Sequence, residues 1–251
     1  MPKPNHIELG DGTTIPILYE DRSVIAIDKP PGWMLVPHTW QKTNRNLQAA
    51  IVSSIGAGLF WARSRGLKFL RHVHRLDAET SGVLLFARSM GALNNYGRLF
   101  ESRKMEKAYL VVVRGIPKQS EWTCFEPIGP DPDEIGKMRV DRREGKEAET
   151  HFKVLQSGTE TALLEARPLT GRTHQIRVHL LASGHPVVGD DLYDPRPKAT
   201  GGGKSSRNPS RLGLRSIVLG YIDPFNKRPV RIVAPVEDFL REFGFAQAQL
   251  K

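Results

Sequence analysis

The chain has 251 residues, 39% hydrophobic and 25% charged, which is enough apolar material for a packed core and argues against a disordered chain. Lys and Arg number 37 against 27 Asp and Glu, and the resulting formal charge of +10 favours a polyanionic partner, because each neutralised phosphate releases counterions. A single cysteine, Cys124, excludes an internal disulfide and a cysteine-based zinc finger, and no apolar run reaches the ~18 residues of a membrane span.

The opening stretch MPKPNHIELGDGTT lacks the apolar core of a signal peptide, so a soluble cytoplasmic protein is expected. The first strand signal runs from Ile17 to Asp28, with Asp21-Arg22-Ser23 as the turn of a hairpin. Lys29-Pro30-Pro31-Gly32 ends regular structure there. Residues 46–60 have helical spacing with Asn46 as N-cap. Gly82 to Ala87 is a continuous apolar run of strand length, predicting a strand buried on both faces. Ser89 is placed to cap a helix running to about Arg103. Lys107 to Gly115 predicts a strand with Tyr109, Val111 and Val113 on one face.

Residues 126–147 read as a long surface loop or irregular hairpin, followed by strands near 149–156 and 161–168. A helix is expected from the N-cap Thr173 to Ser183, stopped by Gly184 and Pro186. Residues 195–211 are rich in Pro, Gly, Ser and basic side chains and are expected to form a flexible basic loop, either touching RNA phosphates or only solubilising. Closing strands are expected at 215–219 and 228–233, then a short helix at 237–243. Strands dominate without regular alternation with helices. The expected class is therefore α+β, a mixed and mostly antiparallel sheet with flanking helices.

The most informative segment is His74-Arg75-Leu76-Asp77-Ala78-Glu79-Thr80-Ser81-Gly82, a charged loop feeding a buried strand. Short hydrogen bonds could hold the Asp77 carboxylate rigidly there. Taken alone, the same residues equally describe a tight turn in which Asp77 caps backbone amides.

This segment resembles the HRLDxxTSG catalytic motif of the RluA-type pseudouridine synthases, every fixed position being met. IAIDKPPGW at Ile25–Trp33, KAYLVVVRG at Lys107–Gly115, TGRTHQIRVHL at Thr170–Leu180 and GHPVVGDDLY at Gly184–Tyr193 resemble that family's other motifs in order and spacing. The resemblance covers about residues 17–240. It implies the pseudouridine synthase catalytic fold with a central cleft, as one catalytic domain over 17–251 preceded by a 1–16 extension too short for a separate RNA-binding module. It also implies conversion of specific uridines in structured rRNA or tRNA to pseudouridine, with no metal or other cofactor.

Asp77 would be the catalytic carboxylate, attacking C1′ or abstracting a proton at C2′; both routes stay open. Arg177 would keep Asp77 ionised against desolvation. An Arg in the first turn of a helix opposes the macrodipole by ~0.3–1 kcal/mol, a sign that it is placed for a partner. Tyr109 would lie against the uracil ring. Arg75 would fill the space left by the flipped base, and His74, Thr80 and Arg172 complete the expected RNA-facing set, with Lys68, Arg71 and His72 adding positive character nearby. The chain departs from the family where relatives carry an LHA-type segment: it has Leu214-Arg215-Ser216, then Tyr221-Ile222-Asp223-Pro224.

Two other readings compete. A metal hydrolase could draw ligands from His72, His74, His174, His179, His185, Asp190 and Asp191, but His174 and His179 stand five apart, off one helical face. A non-catalytic RNA-binding protein would not need Asp77, Tyr109 and Arg177 together. Chelator sensitivity separates the first reading, and an Asp77→Asn protein that binds RNA without modifying it separates the second. A monomer acting on RNA, away from membranes, is expected.

Overall fold

The computed structural model describes residues 2–36, 45–194 and 211–246. The expected flexible loop at 195–211 thus lies outside the described residues, apart from Arg211. In chain order the elements are β1 (His6–Glu8), β2 (Thr14–Glu20), β3 (Val24–Lys29), α1 (Leu47–Gly56), α2 (Phe60–Arg63), β4 (Arg71–His72), β5 (Ser81–Ala87) and α3 (Met90–Glu101). Then come β6 (Glu106–Arg114), β7 (Glu121–Cys124), β8 (Ile128–Pro130), β9 (Met138–Val140), β10 (Thr150–Ser157), β11 (Thr161–Pro168) and α4 (Gln175–Ala182). The chain closes with β12 (Leu214–Ile222), β13 (Pro229–Val233) and α5 (Glu237–Phe243). They divide into two compact units, 1–107 with 216–234, and 108–215 with 235–251.

In the first unit the strand order is β1-β2-β3-β5-β12, with β13 on β12 and β4 on β5. The β1–β2, β2–β3, β3–β5, β4–β5 and β12–β13 pairs are antiparallel. The β2–β3 hairpin turns as expected: Asp21 Oδ1 accepts the Ser23 and Val24 N–H groups at 2.7 and 2.8 Å. All seven residues of β5 are buried. Val83 and Leu85 pack with Ala92 and Tyr96 of α3 and with Leu219 and Ile232, while Leu84 and Phe86 point the other way and are equally buried. Burial on both faces is why the sequence there is apolar without alternation. The N-cap of α3 is Ser89, whose hydroxyl accepts the Ala92 N–H at 3.1 Å, and that of α1 is Asn46, which accepts the Ala49 N–H at 3.0 Å.

In the second unit the order is β6-β11-β10-β7, antiparallel throughout. Val111, Val113, Phe152, Leu164, Ile176 and Leu180 form its core, with Tyr109 packed against it, as the shared strand face predicts. The irregular hairpin expected at 126–147 contains a two-stranded ribbon of β8 and β9. Strands β1 and β7 carry no sequence signal of their own: both are short, and neither contains an apolar run.

Helix α4 begins one residue later than an N-cap at Thr173 predicts. Its N-cap is His174, in the left-handed region at φ 54° without a side-chain cap bond. The Gln175 side chain takes over the turn, its Oε1 accepting the Arg172 N–H at 2.9 Å and the Thr170 hydroxyl at 2.7 Å. Gly184, at φ 80°, follows the helix as expected. Among the described residues no helix is long and apolar enough to cross a membrane.

Candidate active site

The HRLDAETSG loop is gathered by one buried cation. Lys29, at the end of β3, is 0% exposed. Its ammonium donates to the carbonyl oxygens of Ala78 at 2.7 Å, Thr80 at 2.8 Å and Pro30 at 3.1 Å. Ala78 O also accepts the Gly32 N–H at 2.9 Å, and Asp77 O accepts the Thr80 N–H at 3.2 Å. The half-buried Asp77 is therefore carried on backbone pinned immediately after it. Burial pulls the Lys29 ammonium down to about 7, and the carboxylates of Glu79 and Asp77 oppose that shift. Two residues after Thr80, Gly82 has φ +108°, and a Cβ there would stand 1.9 Å from the Ser216 carbonyl oxygen. Only glycine lets the loop turn into β5 against that strand. The Thr80 side chain is buried, and its hydroxyl has no hydrogen-bond partner.

Arg75 is exposed on this loop, as are Lys68 and Arg71 nearby. The two histidines behave differently from expectation. The His74 ring stacks on Phe100 at 4.6 Å and its Nε2 accepts the Leu85 N–H at 3.2 Å, so it is a packed, neutral anchor of the loop. Burial, with Lys107 and His72 adding to it, pushes His74 down to about 3. His72 is also lowered, by burial first and then by Arg75 and Arg71. The positive character expected of these two rings is absent, and the arginines and Lys68 carry it.

In the second unit Tyr109 lies half-buried on β6, paired with Ala166 of β11. Arg177 sits in the first turn of α4, 8% exposed. Its Nε and Nη2 donate to Asp190 Oδ2 and Oδ1, both at 2.7 Å, a two-point fork that offsets its unfavourable place at a helix N-terminus. The guanidinium also stands 4.8 Å from the centre of the Tyr193 ring. Arg172 is half-buried, and its Nε donates to Glu147 O at 2.8 Å.

Beneath Arg177 the polar groups form one chain. Gln175 Nε2 donates to Thr150 Oγ1 at 2.9 Å and to Glu149 O at 2.9 Å. His179 meets Thr150 Oγ1 through Nδ1 at 2.9 Å and Glu126 O through Nε2 at 2.8 Å. The Glu126 carbonyl can only accept, which puts the ring proton on Nε2 and leaves Nδ1 to accept the threonine hydroxyl. Burial lowers His179 and keeps it neutral. The sequence reading passed over Lys29, Gln175 and Tyr193 as site supports. Their signal was only their place inside the quoted motifs.

The histidines and aspartates weighed as metal ligands are dispersed. Among the described residues no three His, Cys, Asp or Glu side chains come together in a way that could hold a metal. Asp190, counted among them, faces Arg177.

A family model described as RNA pseudouridylate synthase matches residues 23–182. An uncharacterized RNA pseudouridine synthase of Aquifex aeolicus is 36% identical over 220 residues, 84% of this chain and 64% of the relative. The ribosomal large subunit pseudouridine synthase C of Escherichia coli is 34% identical over 227 residues, 90% of this chain and 67% of the relative. The solved structure of human RNA pseudouridylate synthase domain containing 4 matches with a TM-score of 0.72 at 25% identity, covering 91% of each chain. The chain spans about two thirds of the length of the two curated relatives.

Proposed function

We propose a catalytic assignment from one premise: this chain belongs to the RNA pseudouridylate synthase family. The reaction is an isomerisation. The bond from uracil N1 to ribose C1′ breaks, the base turns, and C5 bonds to C1′ while the C5 proton is lost and N1 gains one. Asp77 supplies the ionised carboxylate beside the ribose, Arg177 balances its charge, and Tyr109 stacks on the uracil, an interaction worth ~1–3 kcal/mol that tolerates rotation of the base. Extruding the uridine costs a few kcal/mol. The exposed Arg75 occupies the vacated stack, and Arg172 meets phosphate. His74 and Thr80 act from within the loop, His74 by packing on Phe100 and Thr80 by turning the backbone beside Asp77. The substrate class is structured RNA, and the names of the relatives favour ribosomal RNA of the large subunit.

The observation that carries this reading is a carboxylate on a loop whose carbonyls are tied to the buried ammonium of Lys29, at the head of a fully buried strand. Such a group keeps its position when a nucleotide arrives. Purified Asp77→Asn protein should bind unmodified RNA within about threefold of the parent affinity and form no pseudouridine in it. Pseudouridine formation by that variant at the parent rate would remove the assignment.

A further inference from the structure

We propose that Asp190 is a positioning residue for the reaction: with the Tyr193 ring it forms a cage that fixes the guanidinium plane of Arg177. The proposal rests on the catalytic reading of Arg177 given above. A guanidinium on a flexible stem has two orientations to lose, rotation within its plane and tilt of that plane. The two-point contact of Nε and Nη2 with Asp190, at 2.7 Å each, removes the first. The Tyr193 ring, 4.8 Å from the guanidinium carbon, removes the second.

The cage walls are themselves fixed. Asp190 is 2% exposed, and its Oδ1 also accepts the Leu192 and Tyr193 N–H groups at 3.0 and 3.1 Å. The turn that presents it starts at Gly189, φ +74°, where a Cβ would fall 2.1 Å from the Arg211 carbonyl oxygen. The Tyr193 hydroxyl accepts the Met138 N–H at 2.8 Å and meets His174 Nδ1 at 2.8 Å, so the ring cannot swing. His174 reaches it from the left-handed conformation, a strained backbone for a residue with a side chain. A buried ion pair adds little stability over apolar side chains of the same volume. What this one adds is a set direction for the guanidinium.

The test uses the full-length protein and total RNA from cells lacking its gene, labelled with tritium at uracil C5, whose release into water counts turnovers. Asp190→Asn keeps an acceptor for the two backbone amides and turns a donor toward Arg177. It should lower kcat about 100-fold, the usual penalty for a catalytic group displaced by about 1 Å, with KM changed less than about threefold. In an Arg177→Lys background the same change should cost less than about threefold, because the group it positions is already gone. Tyr193→Leu, which leaves the carboxylate in place, should lower kcat about tenfold, and it decides the matter if Asp190→Asn fails to fold.

An unchanged kcat in Asp190→Asn, or in Tyr193→Leu where that variant must decide, overturns the proposal while the role of Arg177 stands. So does an Asp190→Asn effect that multiplies in full with that of Arg177→Lys. Full turnover by both Arg177→Lys and Arg177→Ala would instead remove the catalytic reading of Arg177, and this proposal with it.

Discussion

The loop that carries Asp77 and the helix that carries Arg177 hold their charged groups by opposite means. In the first, one ammonium collects three backbone carbonyls, and the His74 ring adds its stack on Phe100 and the Leu85 N–H that it accepts. In the second, the backbone strays into a left-handed residue at the helix start, and a set of side-chain pairs does the holding. The first arrangement concentrates its risk in Lys29. The second spreads it over several bonds, each worth about 1 kcal/mol net. Stability and turnover should therefore fall together when the first is damaged and separately when the second is.

Lys29→Met should give the largest effect. It leaves the Thr80 and Pro30 carbonyls without this donor, at ~1–3 kcal/mol for an acceptor left unpaired, while the Ala78 carbonyl keeps the Gly32 N–H. Denaturant unfolding should show a loss of about 3 kcal/mol or more, and turnover should fall with it. Retained stability with lost turnover would break the contrast, since it would make the lysine a chemical participant rather than a clasp. Thr150→Val removes the shared partner of Gln175 and His179. It should cost about 1–3 kcal/mol in the same experiment and leave kcat nearly unchanged at a temperature where the protein stays folded. A kcat loss at full stability would show that the network tunes Arg177 directly.

The smallest effect concerns pH. His74 is held at about 3 in the folded protein against an ordinary 6.5. Below about pH 6.5 the unfolded chain gains a proton that the folded chain refuses, so stability is intact above that value and falls as pH drops toward 3. The share of His74 at pH 6 is under about 1 kcal/mol, reduced further by its partial contact with water. Thermal melts should show a shallower acid slope for His74→Gln than for the parent, and identical slopes would mean that the ring is not held neutral.

Much of the architecture was legible because it follows from local pattern. The run Gly82–Ala87 has the length and apolar content of a strand covered on both faces, and Asn46 and Ser89 have the residue types of helix caps. The hidden features come from long-range pairing. Lys29 read as part of a structure-breaking Lys-Pro-Pro-Gly, because lysine is ordinarily exposed, and its burial makes sense only once residues 78 and 80 lie beside it. Thr173 looked like the better cap, and Gln175 displaced it by bonding back to Thr170 and Arg172. His72 and His74 counted as basic residues until burial removed their charge. Asp190 had no role in the sequence beyond the rejected metal reading, and its fork with Arg177 requires the folded chain. At the candidate site the motifs name the proposed residues, and the way each residue is held is visible only in the fold.

Everything proposed for the site turns on the Asp77 carboxylate performing the isomerisation of uridine in RNA. The most direct measurement maps pseudouridine across ribosomal and transfer RNA from cells lacking this gene, then from the same cells supplied with the parent protein or with Asp77→Ala at equal abundance. Defined pseudouridines should vanish with the gene, return with the parent protein, and stay absent with Asp77→Ala. Their return with Asp77→Ala would contradict that role.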